Sequence, residues 1–239
     1  RHRCRHCPIP AVYDGRIQVV DESAVLSDVS QLVELGAEHI TFGDPDFLNA
    51  PAHSLRVVRA LYARFPQLTF DITTKVDLIL RHRSLWAELS ASGLLFVVSA
   101  FETTNNLVLS LLDKGHTVED SAAAVGLLRS HGVEIRPTWL PFTPRTTAED
   151  VRDIVRFLAE HDLAGNVDPV QLTIRLLIPR RSLLLEVPDL LPYLDGFDQE
   201  MLGWQWHSAD SEMDALQARL ATLLERGVDE GLDNQQLFG

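Results

Sequence analysis

Short apolar runs alternate with amphipathic stretches along most of this chain, and no other feature restricts its fold as much. The runs read as strands at residues 39–43 (HITFG), 68–73 (LTFDIT), 95–99 (LFVVS), 133–139 (VEIRPTW) and 170–177 (VQLTIRLL). Most are nearly continuous in apolar character, as parallel strands covered on both faces tend to be. Pro137 lies inside the fourth run and marks a bend or a weakened ladder. Helices are expected between them, at 22–35, 54–65, 77–92, 105–113, 118–131 and 147–160. Residues 54–65 carry the stripe Leu55, Val58, Tyr62 and Phe65, and Pro66 stops them. Residues 147–160 place Val151, Ile154, Val155 and Leu158 on one helical face. Four of the helices end next to Gly36, Gly93, Gly115 or Gly132, the residue that enters the left-handed region at least cost.

Strands alternating with helices define an α/β chain with a parallel sheet. A full eight-fold barrel needs about 250 residues and eight strands. This chain has 239 residues, and its strand–helix rhythm stops after Pro179. A partial barrel or an open doubly wound sheet fits better. Residues 1–179 form the expected core, and 180–239 an extension ending in an amphipathic helix near 211–226, with Leu216, Leu220, Leu223 and Leu224 on one side. The composition, 46% hydrophobic and 23% charged, suits a folded core. A net charge of −13 opposes nucleic-acid binding, which needs a cationic surface. No apolar run approaches the roughly 18–20 residues of a membrane span. The basic start Arg1-His2-Arg3 is followed by no apolar stretch, so it does not read as a signal peptide, and a cytoplasmic location is expected.

In a barrel or a doubly wound sheet, functional groups gather at the carboxyl ends of the strands. Polar residues stand there: Gly43-Asp44-Pro45-Asp46 after the first strand, Asp71, Thr73, Thr74 and Lys75 at the second, and Ser99 through Thr103, including Glu102, at the third. The fourth carries Arg136 and Thr138, and the fifth carries Gln171, Thr173 and Arg175 at alternating positions on one face. Asp44 and Asp46 can equally serve as helix caps, and Arg175 can be an edge residue. Thr103 and Thr104 are available to cap the helix after the third strand, which leaves Glu102 for a ligand. His53, His82, His116, His131 and His161 read as solvated positions. The two cysteines, Cys4 and Cys7, stand at CxxC spacing and exclude a disulfide framework. The same spacing is compatible with zinc, redox or iron–sulfur chemistry.

Taken together, Cys4-Arg5-His6-Cys7, Gly43-Asp44-Pro45, Ser99-Ala100-Phe101-Glu102-Thr103 and Leu112-Asp113-Lys114-Gly115-His116-Thr117 resemble the radical S-adenosylmethionine (radical SAM) superfamily. Leu140-Pro141-Phe142-Thr143-Pro144 resembles the family's LPGET-like loop without its glycine, and Leu176-Leu177-Ile178-Pro179 its final apolar strand. Cys4 and Cys7 match the second half of its CxxxCxxC signature; the first cysteine would fall immediately before Arg1, with the first strand also upstream. Residues 4–20 and 39–49 are similar to the CUAEP/CCAEP-tail subgroup, whose members carry an upstream cobalamin-module-like domain and a cysteine-containing tail.

The resemblance implies a partial (β/α)6-type barrel lacking its first strand, with Cys4 and Cys7 on a [4Fe–4S] cluster whose open iron takes S-adenosylmethionine. It implies cofactor contacts from His6, Gly43, Asp44, Pro45, Ser99, Glu102, Arg136, Leu177 and Ile178. Asp71, Lys75, Thr138, Gln171 and Arg175 are left for a small polar substrate. The implied partners are that substrate and an electron donor such as flavodoxin or ferredoxin, with neither nucleic acid nor a membrane. Cobalamin enters only through an upstream domain. Other readings of the same residues are a divalent-metal lyase or hydrolase using Asp44, Asp46 and Glu102, a radical SAM transfer of the aminocarboxypropyl group, for example to arsenic, and a non-catalytic barrel.

Overall fold

The computed structural model describes residues 4–9, 18–232 and 236–237. The chain divides into two units, one formed by Ile17–Ala100 and Glu119–Pro137, the other by Arg1–Arg16, Phe101–Val118 and Thr138–Gly239.

In the first of these, α1 (Glu22–Glu34) leads through Gly36, at φ +96°, into the short strand β1 (His39–Thr41). Helix α2 (Pro51–Arg64) starts with proline in its first turn, where the missing N–H costs nothing. It is followed by β2 (Thr69–Thr73). The helix expected at 77–92 is broken into α3 (Val76–Arg81), a 3-10 turn and α4 (Trp86–Ala91). Trp86 accounts for the break: its indole is fully buried and its Nε1 donates to the Ile79 carbonyl at 3.0 Å, so the chain must fold back there. Gly93, at φ +101°, then starts β3 (Leu94–Glu102). A side chain at Gly93 would place its Cβ 2.6 Å from the Leu68 carbonyl oxygen. Helix α5 (Asn106–Leu111) belongs to the other unit, and α6 (Val118–Arg129) precedes β4 (Glu134–Trp139).

The sheet runs in the order β1-β2-β3-β4, with β1–β2 and β2–β3 parallel. Among the described residues β1 pairs with β2 alone. The β2–β3 register slips by one residue, so that Phe70 faces Leu94 and Asp71 faces Phe96. Leu95, the extra residue, is left half exposed. Ile40, Phe70, Ile72 and Val97 are buried, while His39, Thr41, Phe96 and Arg136 look out from the opposite, open face.

The other unit holds the carboxyl ends of β3 and β4, α5, and α7 (Ala148–Glu160), whose Thr147 and Asp150 form a capping box. The strand expected at 170–177 does not form. Pro169 and the Asp168 side chain, which accepts from the Val170 N–H, start a 3-10 turn over Pro169–Thr173 instead. Only Arg175 makes a parallel bridge, to Phe142. The extension contains a hairpin absent from the strand–helix reading, β5 (Leu194–Asp198) with β6 (Gly203–Trp206), before α8 (Ser211–Asp229). Leu176, Ile178, Leu184, Leu190, Trp206 and Met213 pack with Val108, Leu112, Leu140 and Phe142 into one apolar core. The extension is therefore part of this unit's interior. No described helix is long and apolar enough to cross a membrane.

Candidate functional site

The cysteine loop is held from several sides within its unit. The Cys7 N–H donates to the Cys4 carbonyl at 3.2 Å and closes the turn. Arg5 donates from its backbone N–H to the Leu112 carbonyl and from Nη1 to the Leu111 carbonyl, both at 2.9 Å. These are free carbonyls at the carboxyl end of α5, where a cation is favoured. Ser182 Oγ donates to the Arg5 carbonyl at 3.0 Å. Cys4 is buried and Cys7 half-buried, and neither is in a disulfide.

Between the cysteines, His6 reaches Glu102. Its Nε2 lies 3.0 Å from Glu102 Oε1, and the same oxygen accepts from Lys114 Nζ at 2.8 Å. Glu102 and Lys114 are 7% and 3% exposed, so the charges meet away from water. Neither partner takes Glu102 Oε2. Glu102 itself sits at φ +66°, an uncommon conformation for a side-chain-bearing residue that aims it away from the strand's regular alternation. Lys114 is delivered by a tight turn in which Asp113 and Gly115 have φ +54° and +74°. Burial alone would raise the Glu102 pKa, but the Lys114 ammonium and the His6 hydrogen bond outweigh it and hold it at about 2. The Cys7 thiol is pushed up, first by burial, with the Ile9 backbone N–H and Lys114 working the other way. Asn105, rather than Thr103 or Thr104, caps α5, accepting from the Leu107 and Val108 N–H groups. His116, expected to be solvated, is buried.

In the sheet unit, Gly43, Asp44 and Pro45 are exposed, and Asp44 Oδ1 accepts from the Asp46 N–H at 2.8 Å. Asp46 is buried and accepts from Thr74 Oγ1 at 2.7 Å, so it ties one strand-end loop to the next. Asp44 also borders a cavity of about 180 Å³ walled by Val20, Phe42, Phe47 and Val57. Lys75 Nζ faces Asp77 at 3.6 Å. Ser99 is fully buried, and its Oγ has no hydrogen-bond partner among the described residues. Asp71 accepts from Thr41 and meets His39, and Arg136 stacks on Phe96 at 3.8 Å from the ring centroid.

Several expected ligand-facing residues are engaged elsewhere. Arg175 pairs with Asp214 at 2.5 Å, donates to the Trp206 carbonyl and stacks on the Trp206 ring. It ties α8 to the core rather than facing a cavity. Gln171 Oε1 accepts from the Trp139 N–H at 2.9 Å, and Gln171 and Arg175 share no strand. Ile178 is fully buried in the apolar core, whereas Leu177 is exposed; Thr138 is half-buried. Two residues outside the expected set join functional-looking clusters, Lys114 and His39. Lys114 was marked only by its Asp-Lys-Gly turn, and His39 only by opening an otherwise largely apolar strand run. No group of three or more His, Cys, Asp or Glu side chains that could hold a metal occurs among the described residues.

Fold and motif together define the class. The family model for the radical SAM superfamily matches residues 1–158, and the chain belongs to that superfamily. Among solved structures, the cobalamin-dependent S-adenosylmethionine radical enzyme OxsB, with aqua-cobalamin and S-adenosylmethionine bound, superposes at TM-score 0.76 with 14% identity over 95% of this chain. This chain spans 40% of that one. The radical S-adenosylmethionine methyltransferase TsrM from Kitasatospora setae gives 0.59 at 22% identity, covering 67% of this chain and 30% of its own. Methylornithine synthase (PylB) gives 0.53 at 15% identity, covering 68% of this chain and 47% of its own. These likenesses establish a shared fold. Among curated proteins none matches.

Proposed function

We propose that this chain is the catalytic core of a radical SAM enzyme acting on a small polar molecule. The observation that carries the reading is the cysteine turn whose central His6 is bonded to the strand-end carboxylate Glu102. The donor chemistry fits the expected group: Cys4 and Cys7 are free thiols one turn apart, on a loop fixed by Arg5 and Ser182. They would supply two of a [4Fe–4S] cluster's thiolates. With S-adenosylmethionine bound, such a cluster supplies an electron that splits a carbon–sulfur bond and starts radical chemistry.

The chain's own residues then have distinct tasks. Arg5 and Ser182 hold the loop. His6 and Lys114 occupy one oxygen of Glu102, which leaves Oε2 to accept from a cofactor hydroxyl or ammonium. His6 would also act through Glu102, by holding that carboxylate. Gly43, Asp44 and Pro45 would meet the methionine portion, where an absent side chain permits close backbone approach. Ser99 and Leu177 remain candidate contacts, and Ile178 would support them from the core. Lys75 and Thr138 remain candidates for the substrate. A flavodoxin or ferredoxin would deliver the electron. The fold shared with OxsB and TsrM supports a cobalamin-binding domain elsewhere in the protein as a further expectation.

Anaerobic reconstitution of the full-length protein with iron and sulfide tests the reading. A four-iron spectroscopic signature that is lost in Cys4→Ala or Cys7→Ala is expected, with reductive cleavage of S-adenosylmethionine. Formation of 5′-deoxyadenosine or of methylthioadenosine tells hydrogen abstraction from aminocarboxypropyl transfer. A protein that binds no iron, or whose cysteine variants bind it equally, would overturn the assignment.

A further inference from the structure

The open face of the sheet carries a row of side chains that includes Asp71, left above for a substrate, and Arg136, which the resemblance assigned to the cofactor and whose surroundings here point to a separate role. Asp71 on β2 is only 3% exposed. Its Oδ2 accepts from Thr41 Oγ1 at 2.7 Å and lies 2.9 Å from His39 Nε2. His39 is fixed in turn by Thr69 Oγ1, 2.8 Å from Nδ1. Asp71 Oδ1 has no hydrogen-bond partner among the described residues. A carboxylate fixed through Oδ2 by Thr41 and His39 keeps its other oxygen available to a ligand at the open face.

The next strand places Phe96 opposite Asp71 in register. Beyond it Arg136, on β4, lays its guanidinium 3.8 Å from the Phe96 ring centroid. Arg136 makes neither an ion pair nor a hydrogen bond with any described residue. Stacking fixes the plane of the guanidinium and leaves its N–H edges free, which pre-organises it for a planar anion such as a carboxylate. His39 stacks from the other direction, its ring 6.0 Å from Phe96 at an interplanar angle of 14°. The row is thus built, with an aromatic centre held between two oriented polar groups.

Asp71 and Arg136 stand on strands either side of β3. At about 4.8 Å per strand spacing their backbones are roughly 10 Å apart. The Arg136 guanidinium reaches over the Phe96 ring, which is in register with Asp71, so the two charged groups stand closer than their backbones and can be bridged by an ammonium and a carboxylate on one carbon. We propose that this face binds an α-amino acid, its ammonium on Asp71 Oδ1, its carboxylate on Arg136, and its α-carbon against the edge of Phe96. The site lies within one unit of the chain and does not rest on the cofactor assignment. Failure of either therefore leaves the other standing.

The test is ligand-observed NMR on the whole chain without cofactor, with each proteinogenic L-amino acid in turn as the probe. At least one is expected to bind saturably. Its des-amino acid and its decarboxylated amine should each bind about tenfold more weakly or worse, as loss of one charge-assisted hydrogen bond requires. Arg136→Met should weaken the amino acid by a similar factor. That side chain is exposed, so the variant is expected to fold, which a thermal unfolding curve checks. Asp71→Asn should weaken the amino acid but not the des-amino acid. Absence of binding by every probe would overturn the site, as would undiminished binding by Arg136→Met. Equal affinity for the α-hydroxy analogue would overturn the ammonium assignment.

Discussion

Lys114 Nζ stands 2.8 Å from Glu102 Oε1, and the two side chains are 4% and 9% exposed. Their attraction is strong because little water screens it, and for the same reason neither charge can be left alone. The pair joins the end of β3 to the turn after α5, and through His6 it reaches the cysteine loop.

Lys114→Met should therefore destabilise the chain by about 3–5 kcal/mol, the usual cost of stranding one partner of a buried pair. Urea unfolding measures it. The double variant Lys114→Met with Glu102→Gln should recover part of that loss. Strict additivity of the two single effects would mean the pair is not energetically coupled.

Acid should weaken the fold through the same carboxylate. The Glu102 pKa is about 2 in the folded chain, against an ordinary 4.5. Between those values the unfolded chain binds the proton that the folded chain refuses, so stability falls as pH falls. The contribution, about 3 kcal/mol, is complete above the unfolded value and disappears toward the folded one. Unfolding midpoints followed from about pH 6 down to pH 3 should fall more steeply in the native chain than in Glu102→Gln. Parallel profiles would contradict the depressed pKa.

Gly93→Ala should cost more than an ordinary glycine replacement. The residue combines φ +101° with a built Cβ 2.6 Å from the Leu68 carbonyl oxygen, a backbone atom. The conformation alone costs about 1–3 kcal/mol, and relieving the clash must move β2 from β3. A loss below about 1 kcal/mol in chemical denaturation would show that the two strands are not held as described.

Thr147→Ala removes one half of the capping box on α7, where Thr147 Oγ1 accepts from the Asp150 N–H. The expected loss is about 1 kcal/mol. Asp150→Ala should cost more, because Asp150 also accepts from Asn105 Nδ2 at 2.8 Å and so links α7 to the cap of α5. Thermal unfolding of the two variants side by side tests the ranking, and equal losses would contradict it.

Much of this architecture is written in local chemistry. Periodicity and the glycines at 36, 93 and 132 mark helices that end where expected, because a left-handed cap is a property of one residue and its neighbours. The cysteine turn and the strand-end polar residues are equally local, and the family follows from them. Tertiary packing overrules this where a side chain binds a distant backbone. Trp86 breaks a helix because its N–H must find a partner once buried, and Asp168-Pro169 turns an apparent strand into a 3-10 segment. The hairpin of β5 and β6 is invisible to a strand–helix rhythm because it forms by antiparallel pairing.

Residue roles divide along the same line. The sequence by itself determined which residues carry charge and thiol chemistry, and in which order the strands deliver them. Only the tertiary structure decided their partners. Arg175, alternating with Thr173 as if on a strand, is consumed by Asp214 and Trp206 of the extension. Neither the Lys114 turn nor His39 names its partner in sequence, yet they meet Glu102 and Asp71, respectively 12 and 32 residues away. A buried charge takes whichever partner packing brings within about 3 Å, and separation along the chain carries no record of that distance.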